Sequence, residues 1–219
     1  PRGGQGLIDY VRETSAIPVI ETGRGVVHIY VDQSADLQKS ASVIDNAKTR
    51  RPRVCNSLDT LLVHDDHMKN LAVLAGGLVD KNVFINADEK AIGELGKFYP
   101  DDLLGHADEK TYDSEFLGLK MNLRIVPSID EAMLHIRHYG SGHTESIMSG
   151  DEDNIGVFLR NVDASVVMVN ASTSFSDGGQ FGLGAEIGIS TQKLHARGPM
   201  GLEPLTSYKW ILKGDGHIR

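Results

Sequence analysis

Short hydrophobic runs alternate along the chain with segments whose apolar residues recur at helical spacing. The hydrophobic runs predict strands at 17–20, 26–31, 61–63, 83–85, 123–126, 146–148 and 165–169. The amphipathic segments predict helices at 7–13, 36–47, 66–78, 88–98, 129–138 and 151–160. Strands that alternate with helices in this way favour an α/β fold with a largely parallel sheet flanked by helices.

Polar residues stand where several of these helices are predicted to begin. Ser34 or Asp32 is expected to cap the helix at 36–47, because a side-chain oxygen there can accept a backbone N–H of the first turn. Ser128 and Glu131 have the spacing of a capping box before the helix at 129–138.

Three segments depart from the alternation of strand and helix. The polar, acidic stretch 100–112 predicts a surface excursion, and 178–188 is rich in glycine. Such a loop either lets backbone approach a ligand closely or lies loosely at the surface, and composition leaves both readings open. The last apolar run, 206–212, predicts a strand that needs an edge to pair with, in its own chain or in a partner.

Composition narrows the class of protein. With 40% hydrophobic and 24% charged residues, 219 residues suffice for a substantial globular core. The net charge of -8 argues against broad binding of nucleic acid or membrane surfaces, and no apolar run is long enough to predict a membrane span. The nine histidines are scattered, so no metal site is predicted. One cysteine fits a reducing compartment such as the cytoplasm.

That cysteine, Cys55, follows the basic stretch KTRRPR at 48–53. Nearby cations lower the pKa of a thiol and attract anionic substrates, so the pattern indicates a reactive thiolate. The alternative is a buried structural cysteine behind a solvated basic loop. Arg51 and Arg53 are predicted to share one face of an extended run around Pro52, and are the candidate anion-binding residues.

Several longer motifs resemble one family. Glu21, in IPVIETG, precedes Cys55 by the distance that separates general base and nucleophile in the aldehyde dehydrogenase superfamily. Within that superfamily the chain resembles the gamma-glutamyl phosphate reductase family. The matching motifs are VCN followed by TLL at 54–62, YGSGHTE at 139–145, NAST at 170–173, FGLGAEIGISTQK at 181–193 and HARGPMGL at 195–202.

The resemblance implies a role for each of several residues. Cys55 would be the nucleophile and Glu21 a base, while Glu115 and Phe116 would contact the NADPH cofactor. The loop containing Asn170, Ser172 and Thr173 would hold the carboxylate of a glutamyl substrate. Ordinary turn capping is the alternative for Asn170 and Ser172.

The resemblance also implies a division of the chain. Residues 1–24 would be the tail of a cofactor-binding domain, 25–205 a catalytic domain, and 206–219 an oligomerisation strand that joins copies into a homo-oligomer. The N-terminal half of the family is then missing from this sequence. We therefore expect the 219-residue chain alone to be inactive and to bind NADPH poorly.

The expected activity is NADPH-dependent reduction of gamma-glutamyl phosphate to glutamate-5-semialdehyde, with release of phosphate, in proline biosynthesis. It would pass through a thioester on Cys55. One alternative is an oxidative aldehyde dehydrogenase that hydrolyses its thioester with Glu21 as base. The other is a non-catalytic structural or oligomerisation module.

Overall fold

Seven parallel strands form the centre of the computed structural model, which describes residues 1, 3–194 and 196–219. The strands are β1 (His28–Val31), β2 (Thr60–His64), β3 (Phe84–Ala87), β4 (Leu104–His106), β5 (Lys120–Val126), β6 (Thr144–Met148) and β7 (Val166–Val169). Their order is β4-β3-β5-β2-β1-β6-β7, and every neighbouring pair is parallel. A separate antiparallel pair joins β8 (Ile189–Ser190) to β9 (Gly198–Pro199). The predicted α/β fold is confirmed. His195, in the last family motif, lies outside the described residues.

Helices cover both faces of the sheet. The helices are α1 (Gln5–Thr14), α2 (Leu37–Thr49), α3 (Leu71–Ala75), α4 (Glu89–Leu95), α5 (Glu109–Tyr112), α6 (Ile129–Tyr139) and α7 (Glu152–Asn161). Helices α2, α3 and α4 pack on one face, and α6 and α7 on the other. Side chains of β1 alternate between two cores, since Ile29 packs in the α2–α4 cluster and Tyr30 in the α6–α7 cluster. Within the described part of the chain, no helix has the length and apolar character needed to cross a lipid bilayer.

The residue that caps α2 differs from the predicted one. Asp36 caps α2, because its carboxylate accepts the backbone N–H groups of Gln38 and Lys39, each at 3.1 Å. The expectation of Ser34 or Asp32 is wrong; the Asp32 carboxylate instead accepts the Ser34 hydroxyl at 2.6 Å. Ser128 caps α6, accepting from the N–H of Glu131 at 3.3 Å, but in the described chain the Glu131 side chain does not complete the predicted capping box.

Two predicted strands are not formed. Residues 17–20 run toward β1 without strand pairing, and Ile17 is 74% exposed; Pro18 lacks the N–H that a paired strand needs. Residues 206–212 also form no strand in the described chain, and Trp210 and Leu212 are 90% and 96% exposed. A strand exists only where a neighbour accepts its hydrogen bonds, which a hydrophobic pattern does not specify.

Two further segments differ in detail. The predicted surface excursion at 100–112 contains the edge strand β4, whose three residues pair with β3. The predicted helix at 66–78 is divided into a 3₁₀ helix at Asp65–Asn70, the short α3, and a second 3₁₀ helix at Gly76–Lys81. His64 precedes the first turn and accepts from the Asp66 N–H at 3.3 Å.

Candidate active site

The loop that carries Cys55 lies at the amino ends of the central strands. Cys55 comes shortly before β2, Gly25 shortly before β1, and Glu115 shortly before β5. Because β1, β2 and β5 are parallel neighbours, the segments that precede them meet at one edge of the sheet. The three residues come together because of this topology.

A cavity of about 510 Å³ opens at this edge beside the half-buried Cys55. Its walls come from the cysteine loop, from the segment before β5, and from the chain after β7. The residues that line it are Gly3, Arg50, Arg51, Arg53, Val54, Cys55, Asn56, Glu115, Leu117, Ser176, Asp177 and Glu186. The cavity therefore combines the thiol with cationic and anionic side chains.

The cations of the cysteine loop separate into two groups. Arg50, Arg51 and Arg53 are exposed and line the cavity, and none forms an ion pair with another described residue within 4.0 Å. Lys48 does not join them, contrary to the prediction that all four cations lie near the thiol. It is fully buried, its Nζ donates to the Leu58 carbonyl at 2.7 Å, and burial lowers its pKa to about 8.

Gly25 brings the segment before β1 into direct contact with the cysteine. A Cβ atom at Gly25 would lie 2.2 Å from the carbonyl oxygen of Cys55, so the backbone approach requires glycine. The Gly25 N–H also donates to the Glu115 carboxylate at 3.2 Å. This contact fixes Glu115, predicted to contact the cofactor, beside the thiol.

A buried hydrogen-bond chain supports the other side of the cysteine loop. The side chain of Asn56 donates to the Ser176 carbonyl at 2.9 Å, and the Thr173 hydroxyl donates to the Asn56 carbonyl at 2.8 Å. The hydroxyl of Thr144 donates to that of Ser176 at 2.9 Å. Two segments that are distant in sequence from the cysteine loop thus hold the residue next to the nucleophile.

The NAST segment runs from the far edge of the sheet toward this loop. Asn170 has a φ of 51°, and its side chain bonds both the N–H and the carbonyl of Ser149, at 2.9 and 2.8 Å. The hydroxyl of Ser172 accepts from the Ser174 N–H at 3.3 Å. Ser172 and Thr173 are buried, and none of the three lines the Cys55 cavity. That they bind substrate stays a prediction.

The Glu21 carboxylate is paired with an arginine. Its carboxylate oxygens accept from one nitrogen of Arg12 at 3.2 and 3.3 Å, and Arg12 also bonds Asp9 at 2.8 Å. Glu21 is not among the residues that line the Cys55 cavity. Its role as a base also stays a prediction.

The buried carboxylate of Asp59 binds the backbone of the segment that contains Phe116. One oxygen of its buried carboxylate accepts the Phe116 N–H at 3.0 Å, and the other accepts the Val27 N–H at 3.3 Å. Burial raises the pKa of Asp59 to about 6, although the nearby Lys48 acts in the opposite direction. The Phe116 ring lies 5.5 Å from the Lys120 Nζ and is not part of the cavity lining.

Sequence reasoning missed several residues of this site. Ser176, Asp177 and Glu186 line the cavity, and the last lies within the glycine-rich stretch whose role was left open. The glycines were the available signal, because Gly178 lets Glu186 approach closely. Arg50 also lines the cavity, in addition to the two arginines singled out from the sequence.

Comparison with known proteins bears on what this arrangement does. The chain is 55% identical over all 219 residues to gamma-glutamyl phosphate reductase from Legionella pneumophila strain Paris. Its structure matches the crystal structure of gamma-glutamyl phosphate reductase from Thermotoga maritima with a TM-score of 0.91 and 46% identity, over the whole of this chain. No family model matches the chain. The resemblance found in the sequence motifs is confirmed.

The matches cover the whole of this chain but only part of its relatives. The chain spans about half the length of the curated relatives it matches, 52% in both comparisons. The crystal structure of a probable aldehyde dehydrogenase from Listeria monocytogenes also matches, with a TM-score of 0.73 and 19% sequence identity. The match covers 98% of this chain and 56% of the Listeria chain. That similarity extends the shared fold, and the fold alone, to aldehyde dehydrogenases.

Proposed function

We propose that this chain supplies the nucleophile for NADPH-dependent reduction of gamma-glutamyl phosphate to glutamate-5-semialdehyde, a step of proline biosynthesis. The observation that carries the proposal is the cavity in which Cys55 lies with Arg50, Arg51 and Arg53. An acyl phosphate needs both a nucleophile for its carbon and cations for its leaving group. The relatives that match the whole chain carry the name of this reaction. The activity is proposed for the full-length protein.

Acyl transfer to Cys55 is the first step of this reaction. The thiolate attacks the acyl carbon, a carbon–sulfur bond forms, and the bond from carbon to the phosphate oxygen breaks. Inorganic phosphate leaves with the electron pair of that bond. The arginines stabilise the charge on the departing oxygens and favour the thiolate over the thiol.

Reduction of the thioester follows. When bound, NADPH supplies the hydride that reduces the acyl carbon. Glu115 fits one end of this cofactor, since its half-buried carboxylate lines the Cys55 cavity and can accept hydrogen bonds from ribose hydroxyls. The carbon–sulfur bond of the resulting thiohemiacetal then breaks, which releases the aldehyde and restores the Cys55 thiolate.

The oxidative alternative requires a carboxylate that deprotonates water beside the thioester. Glu21 is the candidate, but its carboxylate is paired with Arg12 and lies outside the cavity lining. This pairing favours the reductive reaction, in which no water attacks. An inert structural module is disfavoured because several segments converge to build a cavity around a thiol.

We also assign a partner to the C-terminal segment 206–219, namely a second copy of the protein. Tyr208, Trp210 and Leu212 are 84%, 90% and 96% exposed. Apolar side chains at this level of exposure are typical of surfaces covered by association. The proposed setting is the cytoplasm, where a thiol remains reduced.

The test is an assay of the full-length protein in the oxidative direction. Reduction of NADP should require both glutamate-5-semialdehyde and inorganic phosphate, because phosphate must release the acyl group from Cys55. Semialdehyde oxidation that proceeds equally well without phosphate would instead support a hydrolytic aldehyde dehydrogenase. The 219-residue chain assayed alone should show no turnover.

A further inference from the structure

We infer that Asp177 and Glu186 bind the α-ammonium group of the substrate, and so select an amino acid over a plain dicarboxylic acyl group. This inference rests on the proposed function for the identity of the substrate. It goes beyond that function by assigning the group that recognises the amino end. Both carboxylates line the Cys55 cavity, and both come from the chain after β7.

Asp177 is fixed beside the cysteine loop. It directly follows Ser176, whose carbonyl accepts the side chain of Asn56 at 2.9 Å. Asn56 is in turn the neighbour of Cys55. One oxygen of the Asp177 carboxylate accepts the Gly179 N–H at 2.8 Å, which orients the side chain. An exposed carboxylate therefore lines the same cavity as the nucleophile.

Glu186 is brought to the same wall by the glycine-rich loop. One of its carboxylate oxygens accepts the Gly178 N–H at 2.6 Å. A Cβ atom at Gly178 would lie 2.9 Å from the Glu186 Cβ, so a larger residue there would separate the two segments. Because Gly178 follows Asp177, this contact holds the two carboxylates near each other.

The charges of the cavity match those of the substrate. A glutamyl phosphate has two anionic groups, the phosphate and the α-carboxylate, and one cationic group, the α-ammonium. Arg50, Arg51 and Arg53 suit the anions. In the described chain, Asp177 and Glu186 form no ion pair with these arginines, so they do not serve as internal counter-ions.

Carboxylates in a cavity that held only anions would weaken binding through like-charge repulsion. Their presence is explained if the ligand also carries a positive group. Glu115, the third carboxylate of the lining, is bonded to Gly25 on another wall and is assigned to the cofactor. Asp177 and Glu186 are the two that remain.

The experiment measures protection of Cys55 from alkylation by iodoacetamide in the full-length protein. L-Glutamate and glutarate are the two probes, since they differ only in the α-ammonium group. In the wild type, glutamate should protect at about tenfold lower concentration than glutarate, the size of one exposed charge-assisted contact. The readout needs no turnover, so failure of the proposed reaction would not be mistaken for failure of this assignment.

The variants Asp177→Asn and Glu186→Gln should change the two probes in opposite ways. Protection by glutamate should weaken several-fold, while protection by glutarate should stay equal or improve, because a repulsive charge is removed. Glu203→Gln is the control, an exposed carboxylate outside the cavity lining, and should change neither. Equal weakening of both probes, or no preference for glutamate in the wild type, would overturn the assignment.

Discussion

The guanidinium of Arg12 lies 3.2 and 3.3 Å from the two carboxylate oxygens of Glu21. This pairing joins α1 to the segment that precedes β1, and Arg12 extends it to Asp9 at 2.8 Å. The hydrogen bonds with Arg12 occupy both carboxylate oxygens of Glu21. The arrangement gives Glu21 a structural role in joining these two segments.

Glu21→Gln should therefore reduce acyl-phosphate reduction by less than about tenfold, or ~1.4 kcal/mol. The amide can still accept from Arg12, and no water needs to be deprotonated in the reductive direction. The measurement is kcat for phosphate-dependent semialdehyde oxidation. A thousandfold loss with the fold preserved would restore Glu21 as an essential base.

Cys55→Ser should abolish turnover, because a serine hydroxyl is a much weaker nucleophile without an adjacent base. The loss should reach several orders of magnitude in kcat. Thermal unfolding should be nearly unchanged, since the oxygen replaces a half-buried sulfur with little change of shape. A variant that keeps a tenth or more of the wild-type rate would refute the assignment of Cys55 as nucleophile.

Gly25→Ala should disturb the cysteine loop directly. The added carbon would lie 2.2 Å from the Cys55 carbonyl oxygen, so the two segments must separate, at a cost of roughly 1–3 kcal/mol in the free energy of unfolding. Alkylation of Cys55 and denaturant unfolding are the measurements.

Gly23→Ala is the matched control for that substitution. A Cβ atom there would meet only the Thr191 hydroxyl, at 3.5 Å, while the effect on the unfolded chain is the same. If both variants behave alike, the contact between Gly25 and Cys55 is not what constrains this segment.

Lys48→Met tests the buried ammonium beneath the cysteine loop. Burial lowers the folded-state pKa of Lys48 to about 8, whereas the unfolded chain carries an ordinary lysine. Above pH 8 the unfolded state therefore binds more protons than the folded state, and the lysine's contribution to stability increases as the pH rises. Below pH 8 that contribution is lost.

The measurement is the free energy of unfolding of wild type and Lys48→Met from pH 7.5 to 10.5. The difference between the two should grow with pH in favour of the wild type. Lys39→Met, on the exposed face of the same helix, controls for the loss of one lysine. A difference that stays constant over this range would show that Lys48 does not titrate as its burial implies.

Arg53→Ala should raise KM for the acyl phosphate more than it changes the NADPH requirement, and Arg51→Ala should act in the same direction. Removing one charge-assisted contact costs about 1.5–3 kcal/mol, so kcat/KM should decrease roughly tenfold to hundredfold. Arg160→Ala, on the exposed side of α7, is the control. If neither KM nor the alkylation of Cys55 changes, the arginines are solvent-exposed residues that do not bind the substrate.

Several strands of the sheet could be predicted from the sequence because they are apolar at nearly every position. Leu61-Leu62-Val63 lies in the fully buried β2, as expected of a central parallel strand. The run that ends at Val169 is equally apolar, although it forms the partly buried edge strand β7. Leu104–His106 has no such pattern, because an edge strand of three residues depends on its neighbour rather than on its own composition.

The candidate site was predictable in part. The nucleophile and its arginines adjoin in sequence, and the chemistry of a thiol among cations identified them. The burial of Lys48 had a signal that was overlooked, since it lies one helical turn after the core residue Ile44. The contact of Asn56 with Ser176 had none, because only the folded topology brings those two segments together.

The surroundings of Cys55 form at a particular stage of folding. β1 pairs with β6 through His28 and Glu145, and the wall bearing Asp177 and Glu186 follows β7, so the thiol's surroundings depend on contacts between distant segments. Such long-range pairings form slowly compared with local helices. The single thiol of these 219 residues therefore reports on the assembly of the sheet, and during refolding its alkylation rate should reach the native value only when these long-range pairings have formed, not at the first collapse of the chain.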